Sequence, residues 1–437
     1  MPGTIGVESR QDTAATPAAD PSPARRPLWR SWATKLALMA ASTALCLLLL
    51  EVGFRLAGYE PIYSVYSKPE LFWKHDGTLG WVLQPGAMGT YVGPRPFPVE
   101  FRAKVRINSL GLRGGELPPV APGGRRVLLL GDSQAAGFEV AEDATYAALT
   151  EQRLTADLGA PAQVVNGGIR GYGTDQSLLL YETRLRSLHP DLVVFHATAN
   201  DPEDDTTLHR MRRPFGKAAF ALHPDGSLGT VGQPIPNYPL CSAYRLDAAF
   251  RVIRIDGAKT RVFCFLQTRL ADHSAFLTFL STRIERNPRL VKAIYGLGTP
   301  NEPGRPAGPP PPTAPSAPAP NPVPPSPPAN AEPSTSTPTV NPGLDYAHRL
   351  TTTLILRMAS EVRAEGARFV LLIEGSDLAG LDQPALAAAG IEIARTDEAL
   401  GANQEAYRFP NDGHLNERGH RRLADFLAPR LAADLRR

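Results

Sequence analysis

A serine that follows a buried strand is the first candidate for chemistry in this sequence. The apolar run Val127–Leu130 ends at Gly131 and is followed at once by Asp132 and Ser133. An unbroken apolar run of this kind is typical of a strand covered on both faces. If a helix begins just after Ser133, its first backbone N–H groups point toward the group that the hydroxyl attacks. The stretch predicts a nucleophile at a strand end, although Gly-Asp-Ser also occurs in turns without chemistry.

Strands and helices alternate around this serine at the spacing of βαβ units. One helix is predicted over Thr145–Leu158, and a second carries the apolar stripe Leu178, Tyr181, Leu185 and Leu188 before Pro190. Such alternation favours a parallel, doubly wound sheet. The runs that predict the further strands are Gln163–Asn166, Asp191–Phe195, Arg368–Ile373 and Ile391–Ile393.

The carboxyl ends of these strands bring three polar or glycine positions to one edge. Ser133 follows the first strand, the glycine-rich loop up to Gly171 follows the second, and Asn200 follows the third. In open α/β sheets, ligands bind at this edge. The three positions therefore form a candidate site.

The region between Pro202 and Leu297 has a less regular pattern. A strand is predicted at Arg261–Leu266. Cys241 and Cys264 can pair in an oxidising compartment or stay as buried thiols, and the sequence alone leaves both possibilities open.

The N-terminal region predicts a membrane anchor. The uncharged run Leu36–Leu50 follows the cations Arg25, Arg26, Arg30 and Lys35, and flanking residues extend it to Leu56. About 20 residues are needed to cross a bilayer, and preceding positive charges keep the N-terminus in the cytoplasm. A secretory signal peptide is the alternative. We favour the anchor because no small-x-small cleavage site follows Leu50. Either way the remainder of the chain is exported, and a bacterial-type inner membrane with a periplasmic catalytic domain is the expected location.

A proline-rich stretch interrupts the ordered part of the chain. Residues 300–342 cannot form a helix or a central strand and have little to bury, so we interpret them as a disordered surface insertion. A βα unit continues beyond it, so the insertion lies within one domain. The predicted organisation is a disordered cytoplasmic tail at 1–33, an anchor at 34–56, an N-terminal extension at 57–124, a catalytic domain at 125–299 and 343–437, and the insertion at 300–342.

Composition argues against two other classes of function. The net charge is +3, and no basic patch lies beyond the N-terminus, which argues against a nucleic-acid partner. No CxxC or HExxH pattern predicts a metal site. We expect no cofactor and no metal.

Four separated blocks resemble the motifs of the SGNH hydrolases, also called GDSL esterases and lipases. They occur in the family's order and together span most of the predicted catalytic domain. The blocks are Gly131-Asp132-Ser133, Asn166 to Gly171, Asn200-Asp201 and Asp412-Gly413-His414. The resemblance implies a flavodoxin-like three-layer α/β/α sandwich with a parallel sheet.

The resemblance also implies roles for individual residues. Ser133 would be the nucleophile, His414 the general base, and Asp412 the acid that holds the imidazole in the accepting tautomer. The implied oxyanion hole comprises the backbone N–H groups of Ser133 and Gly171 and the side-chain amide of Asn200. A tetrahedral oxyanion needs such fixed donors.

The sequence departs from the family pattern at two places. Only Gly413 separates the acid from the base, where the family often has two residues, and Thr198 replaces a glycine of the third block.

His196 and His420 occupy no family motif and are interpreted as structural. Asp132 is expected to stabilise the turn. The cluster Asp201, Glu203, Asp204 and Asp205 is interpreted as a solvated loop.

These features predict an exported, membrane-anchored carboxylic ester hydrolase that works through a serine acyl-enzyme. Its expected partners are the membrane and an ester or acylated carbohydrate substrate, with the acyl groups of envelope glycans as one possibility. If a sugar hydroxyl accepts the acyl group, the protein is instead an O-acyltransferase acting on a polysaccharide. A catalytically inactive glycan-binding protein with the same fold is the third possibility, and the presence of both Ser133 and His414 argues against it.

Overall fold

The computed structural model describes residues 28–59, 74–93, 99–210, 215–235, 238–247, 251–285 and 342–437, with residues 3, 61, 287, 289 and 290. The predicted insertion lies outside the described residues up to Pro342, where a helix begins. Most of the predicted disordered tail also lies outside them.

The described residues contain fourteen strands and eleven α-helices. The strands are β1 (Lys74–Asp76), β2 (Gly80–Val82), β3 (Met88–Gly93), β4 (Phe101–Arg106), β5 (Arg125–Gly131), β6 (Ala162–Asn166), β7 (Leu192–Thr198), β8 (Thr207–His209), β9 (Ala219–Leu222), β10 (Leu228–Val231), β11 (Tyr244–Leu246), β12 (Val252–Arg254), β13 (Arg368–Glu374) and β14 (Glu392–Arg395). The helices are α1 (Leu28–Leu56), α2 (Ser133–Ala136), α3 (Tyr146–Leu158), α4 (Thr174–Leu180), α5 (Asp201–Thr206), α6 (Ala258–Arg269), α7 (Ala275–Glu285), α8 (Pro342–Ala364), α9 (Gln383–Ala388), α10 (Thr396–Leu400) and α11 (Glu417–Arg436).

Helix α1 is long and apolar enough to cross a membrane over Trp32–Leu56, and none of that span is buried. A signal sequence near the N-terminus meets the same criteria of length and composition. Helix α1 begins at Leu28, six residues before the predicted start of the anchor at residue 34. No proline or glycine lies between Leu28 and Val52 to stop the helix from extending back. Residues Met1–Gly53 and Phe54–Arg437 form two compact units.

The second unit is built on a five-stranded parallel sheet. Its spatial order is β14-β13-β7-β5-β6. Read from β6, the order along the chain is the flavodoxin-like one, with the first strand between the second and the third. The predicted parallel, doubly wound sheet is confirmed.

Alternate residues of β5 enter two separate hydrophobic cores. Leu128 and Leu130 pack in a core that contains residues of α4 and α8. Val127 and Leu129 pack in a second core with residues of α3 and α11. Because successive side chains of a strand point to opposite faces, the two cores lie on opposite sides of the sheet. This arrangement confirms the predicted three-layer sandwich.

The N-terminal extension shares the first of these cores and supports the last loop before α11. Strands β3 and β4 pair antiparallel, and the Tyr91 and Phe101 rings stack with centroids 5.7 Å apart. The Phe101 ring lies 5.0 Å from the Phe409 ring. The Asn411 side-chain amide donates to Glu100 Oε1 at 2.6 Å. The extension therefore packs against the catalytic domain instead of standing apart from it.

The predicted strand at Arg261–Leu266 was wrong, because these residues lie in helix α6. The buried residues of this helix are Thr260, Cys264 and Gln267, which recur at helical spacing on one face. The apolar side chains that suggested a strand belong to the other face. Because the buried positions of this helix are mostly polar, the sequence lacks the apolar stripe that normally indicates a helix.

Cys241 and Cys264 form a disulfide across a sequence separation of 23 residues. Replacing both cysteines by serine should lower the free energy of unfolding by about 3 kcal/mol, since a loop of this size constrains the unfolded chain. The midpoint of urea denaturation measures this change. Cys46→Ser is the matched control, because Cys46 is a free, exposed cysteine. An unchanged midpoint in the double variant would argue against a stabilising disulfide.

Candidate active site

The turn between β5 and α2 presents Ser133 at the carboxyl edge of the sheet. Gly131 has φ 145°, and a Cβ there would lie 2.8 Å from the His196 carbonyl oxygen, so a side chain would not fit. The Asp132 carboxylate accepts from the Gln134 backbone N–H at 2.8 Å and caps α2. Asp132 thus holds the turn, and Ser133 stays partly exposed.

The loop before α11 brings His414 to this serine. His414 Nε2 lies 2.8 Å from Ser133 Oγ, and His414 Nδ1 is hydrogen-bonded to Asp412 Oδ1. One intervening residue is enough because Gly413 has φ 86°, which directs the acid and the base toward each other. Burial raises the pKa of Asp412, but the hydrogen bond and charge of His414 outweigh it, so the pKa lies below its ordinary value. Asp412 is therefore ionised at neutral pH, as an acid orienting a base must be.

A second carboxylate beside the histidine was missed by sequence reasoning. Glu139 has only 2 % of its surface exposed, and its Oε1 lies 3.6 Å from His414 Nδ1. Its Oε1 also pairs with the Arg170 guanidinium, which neighbours Gly171 in the chain. The only signal in the sequence was a charged residue within the otherwise apolar run Ala135–Val140. Such a residue is buried only with partners.

Glu139→Gln should move the acid limb of the kcat/KM profile to lower pH. Burial lowers the pKa of His414, but the charge of Glu139 and the hydrogen bond to Asp412 raise it above the ordinary 6.5. The base must be neutral, so activity should rise as the pH passes through this raised value. Removing the Glu139 charge lowers the pKa of His414, and the limb follows.

Rates with p-nitrophenyl acetate from about pH 5 to 9 measure this shift. Glu142→Gln is the control, because Glu142 pairs with the exposed Arg106 rather than with the histidine. An acid limb at the same pH in wild type and Glu139→Gln would contradict the predicted influence of Glu139.

The glycine-rich loop after β6 packs directly on the serine turn. The Asn166 side-chain amide donates to the Ala135 carbonyl at 3.1 Å, and the Ile169 N–H donates to the Gly131 carbonyl at 3.0 Å. A Cβ on Gly168 would lie 2.4 Å from the Ala136 backbone nitrogen, so only glycine permits this approach. These contacts bring the loop that ends at Gly171, with φ 78°, to the same edge as Ser133.

The end of β7 is tied to the serine turn through Thr198. The Thr198 hydroxyl lies 3.0 Å from Asp132 Oδ2 and 3.0 Å from Asn200 Oδ1. The Asn200 Nδ2 donates to Asp204 Oδ2 at 2.7 Å and lies 3.4 Å from Asp132 Oδ2. The Asn200 amide group therefore makes one short hydrogen bond, to Asp204, and one long contact, to Asp132. The threonine that replaces the family's glycine thus orients Asn200.

The acidic cluster after Asn200 is not the solvated loop that we predicted. Asp201, Asp204 and Asp205 lie in α5 and are 2 % exposed or less. Burial and the charge of Asp175 raise the pKa of Asp205 to about 8. Asp204 pairs with the nearby Asn200 and Arg210, whereas Asp205 accepts from the Asp175 backbone N–H and from Thr351. The sequence interpretation failed for Asp205 because its partners are distant in the chain.

The two remaining histidines of interest lie buried beneath the site. His196 Nδ1 is 2.9 Å from the Tyr146 hydroxyl, and its Nε2 is 3.0 Å from Glu374 Oε2. His420 Nδ1 accepts from the Tyr146 backbone N–H at 3.1 Å. Burial, with the charge of Arg113, lowers the pKa of His420 to about 3, so its ring is neutral. Both positions suit the structural interpretation.

One group among the described residues has the composition of a metal site. Ligand atoms of Glu139, Asp412 and His414 lie within 4.8 Å of one another. Each carboxylate already has a charged or hydrogen-bonding partner, Arg170 and His414 respectively, and His414 also faces Ser133. We therefore interpret these three residues as a proton-transfer group and not as a metal site.

A flavodoxin-like sheet with a hydrogen-bonded Asp412, His414 and Ser133 at its carboxyl edge has the architecture of an SGNH-type α/β protein. The sequence model of the GDSL-like lipase/acylhydrolase family matches residues 129–422. The chain belongs to this family of ester hydrolases.

Solved structures resemble this chain at low identity. A lipase/acylhydrolase from Enterococcus faecalis is 11 % identical, with 71 % of this chain and 96 % of that chain covered and a TM-score of 0.34. An acetylxylan esterase from Geobacillus stearothermophilus is 12 % identical over 70 % of this chain and 93 % of its own, with a TM-score of 0.31. Likeness at this level carries no argument about activity. No curated protein matches the sequence.

Proposed function

We propose that the protein is an exported, membrane-anchored carboxylic ester hydrolase that works through an acyl-enzyme on Ser133. The observation that supports this most directly is the 2.8 Å contact between Ser133 Oγ and His414 Nε2, with Asp412 on the other ring nitrogen. A serine hydroxyl becomes a good nucleophile when an oriented imidazole removes its proton.

The proposed reaction has two halves. Ser133 Oγ attacks the ester carbonyl carbon while His414 Nε2 takes the hydroxyl proton. The oxyanion accepts hydrogen bonds from the Ser133 and Gly171 backbone N–H groups and the Asn200 amide. The carbonyl then re-forms, the C–O bond to the alcohol breaks, and His414 gives its proton to the departing oxygen. Water attacks the acyl-enzyme by the same route, which releases the carboxylic acid and restores Ser133.

The proposed location follows from α1 and the charges before it. Arg25, Arg26, Arg30 and Lys35 precede the apolar part of the helix. Positive charges on the N-terminal side favour a cytoplasmic N-terminus and an exported remainder. Acyl groups on envelope glycans are then within reach of the catalytic domain, and they are the substrates we propose.

The full chain in detergent tests this function with a fluorophosphonate probe and two ester substrates. We expect the probe to label Ser133 and the protein to hydrolyse p-nitrophenyl acetate and to release acetate from acetylated envelope glycan. Absence of both labelling and turnover would contradict the enzyme assignment and favour a binding protein. Acylated oligosaccharide, detected by mass spectrometry when an acyl donor and a glycan acceptor are supplied, would identify an O-acyltransferase.

Asn200→Ala should lower kcat by about 10²- to 10³-fold without abolishing activity, as expected for loss of one oxyanion donor. Steady-state kinetics measure the change, and KM should move little. The control is Asn403→Ala, which changes an exposed asparagine in the loop between α10 and α11. The thermal midpoint of each variant must be followed, because Asp204 loses a partner. A rate equal to wild type would remove Asn200 from the proposed hole.

A further inference from the structure

Helix α6 has its apolar side chains on the outside. Its buried positions are Thr260, Cys264 and Gln267. A surface helix of a globular domain normally turns its apolar stripe toward the core, so this helix is inverted. The exposed apolar side chains on its other face and just beyond it are Val262 (60 % exposed), Phe265 (56 %), Leu266 (46 %) and Leu270 (56 %).

The neighbourhood of this face carries cations. Residues 251–284, all of which the structure describes, contain two acidic residues, Asp256 and Asp272, and both are at least partly buried. Asp256 is buried in ion pairs with Arg254 and Arg261. The Arg269 guanidinium lies 5.9 Å from the centre of the Phe265 ring. Exposed basic residues in this stretch are Lys259, Arg269 and Arg283, together with Arg251 and Arg254, which form ion pairs with Asp247 and Asp256.

The start of the second compact unit lies beside helix α7, which follows α6 in the chain. Phe54 is the first residue of that unit. Its ring centroid is 5.5 Å from that of Phe276 and 4.9 Å from that of Phe279, and Tyr59 also contacts Phe279. Phe54 is the third residue from the end of α1 at Leu56, so it lies in the last turn of that helix.

We infer that the exposed face of α6, with Leu270, is a docking surface for a lipid bilayer that contains anionic headgroups. The inference rests on the proposed membrane anchor. An apolar helix face inserts at the boundary between headgroups and acyl chains, and neighbouring lysine and arginine side chains are attracted to anionic lipid. A contiguous apolar patch of this kind is unusual on a surface that faces only water. Docking would hold the catalytic domain against the membrane surface.

The test uses the full chain in vesicles with a fluorophore at a single cysteine. Leu270→Cys in a Cys46→Ser background carries an environment-sensitive NBD label, and the other two cysteines are in the disulfide. Ala156→Cys in the same background is the control, since Ala156 is exposed on α3. Vesicles contain phosphatidylcholine alone or with phosphatidylglycerol, each with nitroxide-labelled acyl chains as quencher. Flotation of the vesicles reports the anchor separately.

We expect the Leu270 label to be blue-shifted and quenched severalfold more than the Ala156 label, and most strongly with phosphatidylglycerol. The triple variant Arg251→Gln, Lys259→Gln and Arg269→Gln should lose that preference for anionic lipid. A chain that floats with the vesicles but shows equal quenching at both labels overturns docking alone. A Leu270 label shielded from water but not quenched by lipid means that protein covers the face, which also overturns it. A chain that does not float overturns the anchor and the docking together.

Discussion

Ser133→Ala should reduce kcat for p-nitrophenyl acetate by about 10⁵- to 10⁶-fold, because no other group can form the acyl-enzyme. Alanine removes only the hydroxyl that lies 2.8 Å from His414 Nε2. The residual rate then comes from the oxyanion donors and from substrate binding. His414→Ala should cause a loss of the same size, since serine and histidine act as one unit. The double variant should be no worse than either single variant.

Labelling with the fluorophosphonate probe checks this result independently of the substrate. The Ser133→Ala protein should not be labelled. The control Ser187→Ala, which removes the hydroxyl of an exposed serine, should be labelled like wild type. Thermal unfolding should be close to wild type in both. A Ser133→Ala protein that retains more than about one per cent of the wild-type rate would mean that another nucleophile carries the reaction.

Asp412→Asn is expected to lower kcat by about 10⁴-fold. Asparagine can donate its amide hydrogens to His414 Nδ1, which stabilises the tautomer that carries its hydrogen on Nε2. That ring nitrogen would then face Ser133 Oγ as a donor and could not accept the hydroxyl proton. The change also removes one of the causes that raise the pKa of His414, so the remaining activity should appear at lower pH.

The position of Glu139 makes this variant informative. Its Oε1 lies 3.6 Å from the same ring nitrogen that Asp412 engages. A fall of less than about tenfold in Asp412→Asn would mean that Glu139 performs the task of the acid. The double variant with Glu139→Gln would then show the large loss. Asp397→Asn, an exposed carboxylate in α10, is the control for the charge change alone.

Local patterns in the sequence were sufficient to predict the α/β/α architecture. The apolar runs of β5, β7 and β13 and the stripe that begins at Leu178 in α4 indicated buried strands and covering helices, because period and burial are properties of neighbouring residues. Three of the four blocks that resemble the family motifs follow predicted strands, and the fourth, which contains His414, lies before the closing helix. The predicted sandwich is confirmed, and the structure brings Ser133, His414 and Asp412 into hydrogen-bonding contact.

The burial and the contacts of side chains whose partners are far along the chain became visible only in the tertiary structure. Glu139 meets Arg170 and His414, and Asp205 meets Thr351, across separations that leave no periodic trace in the sequence. Helix α6 was mistaken for a strand because its inward face is polar and is anchored by the disulfide of Cys264. The sequence by itself determined where the strands of the parallel sheet form. Burial of a charge depends on its partner, and an outward apolar face depends on what the other side packs against, so these features appear only once the chain is folded.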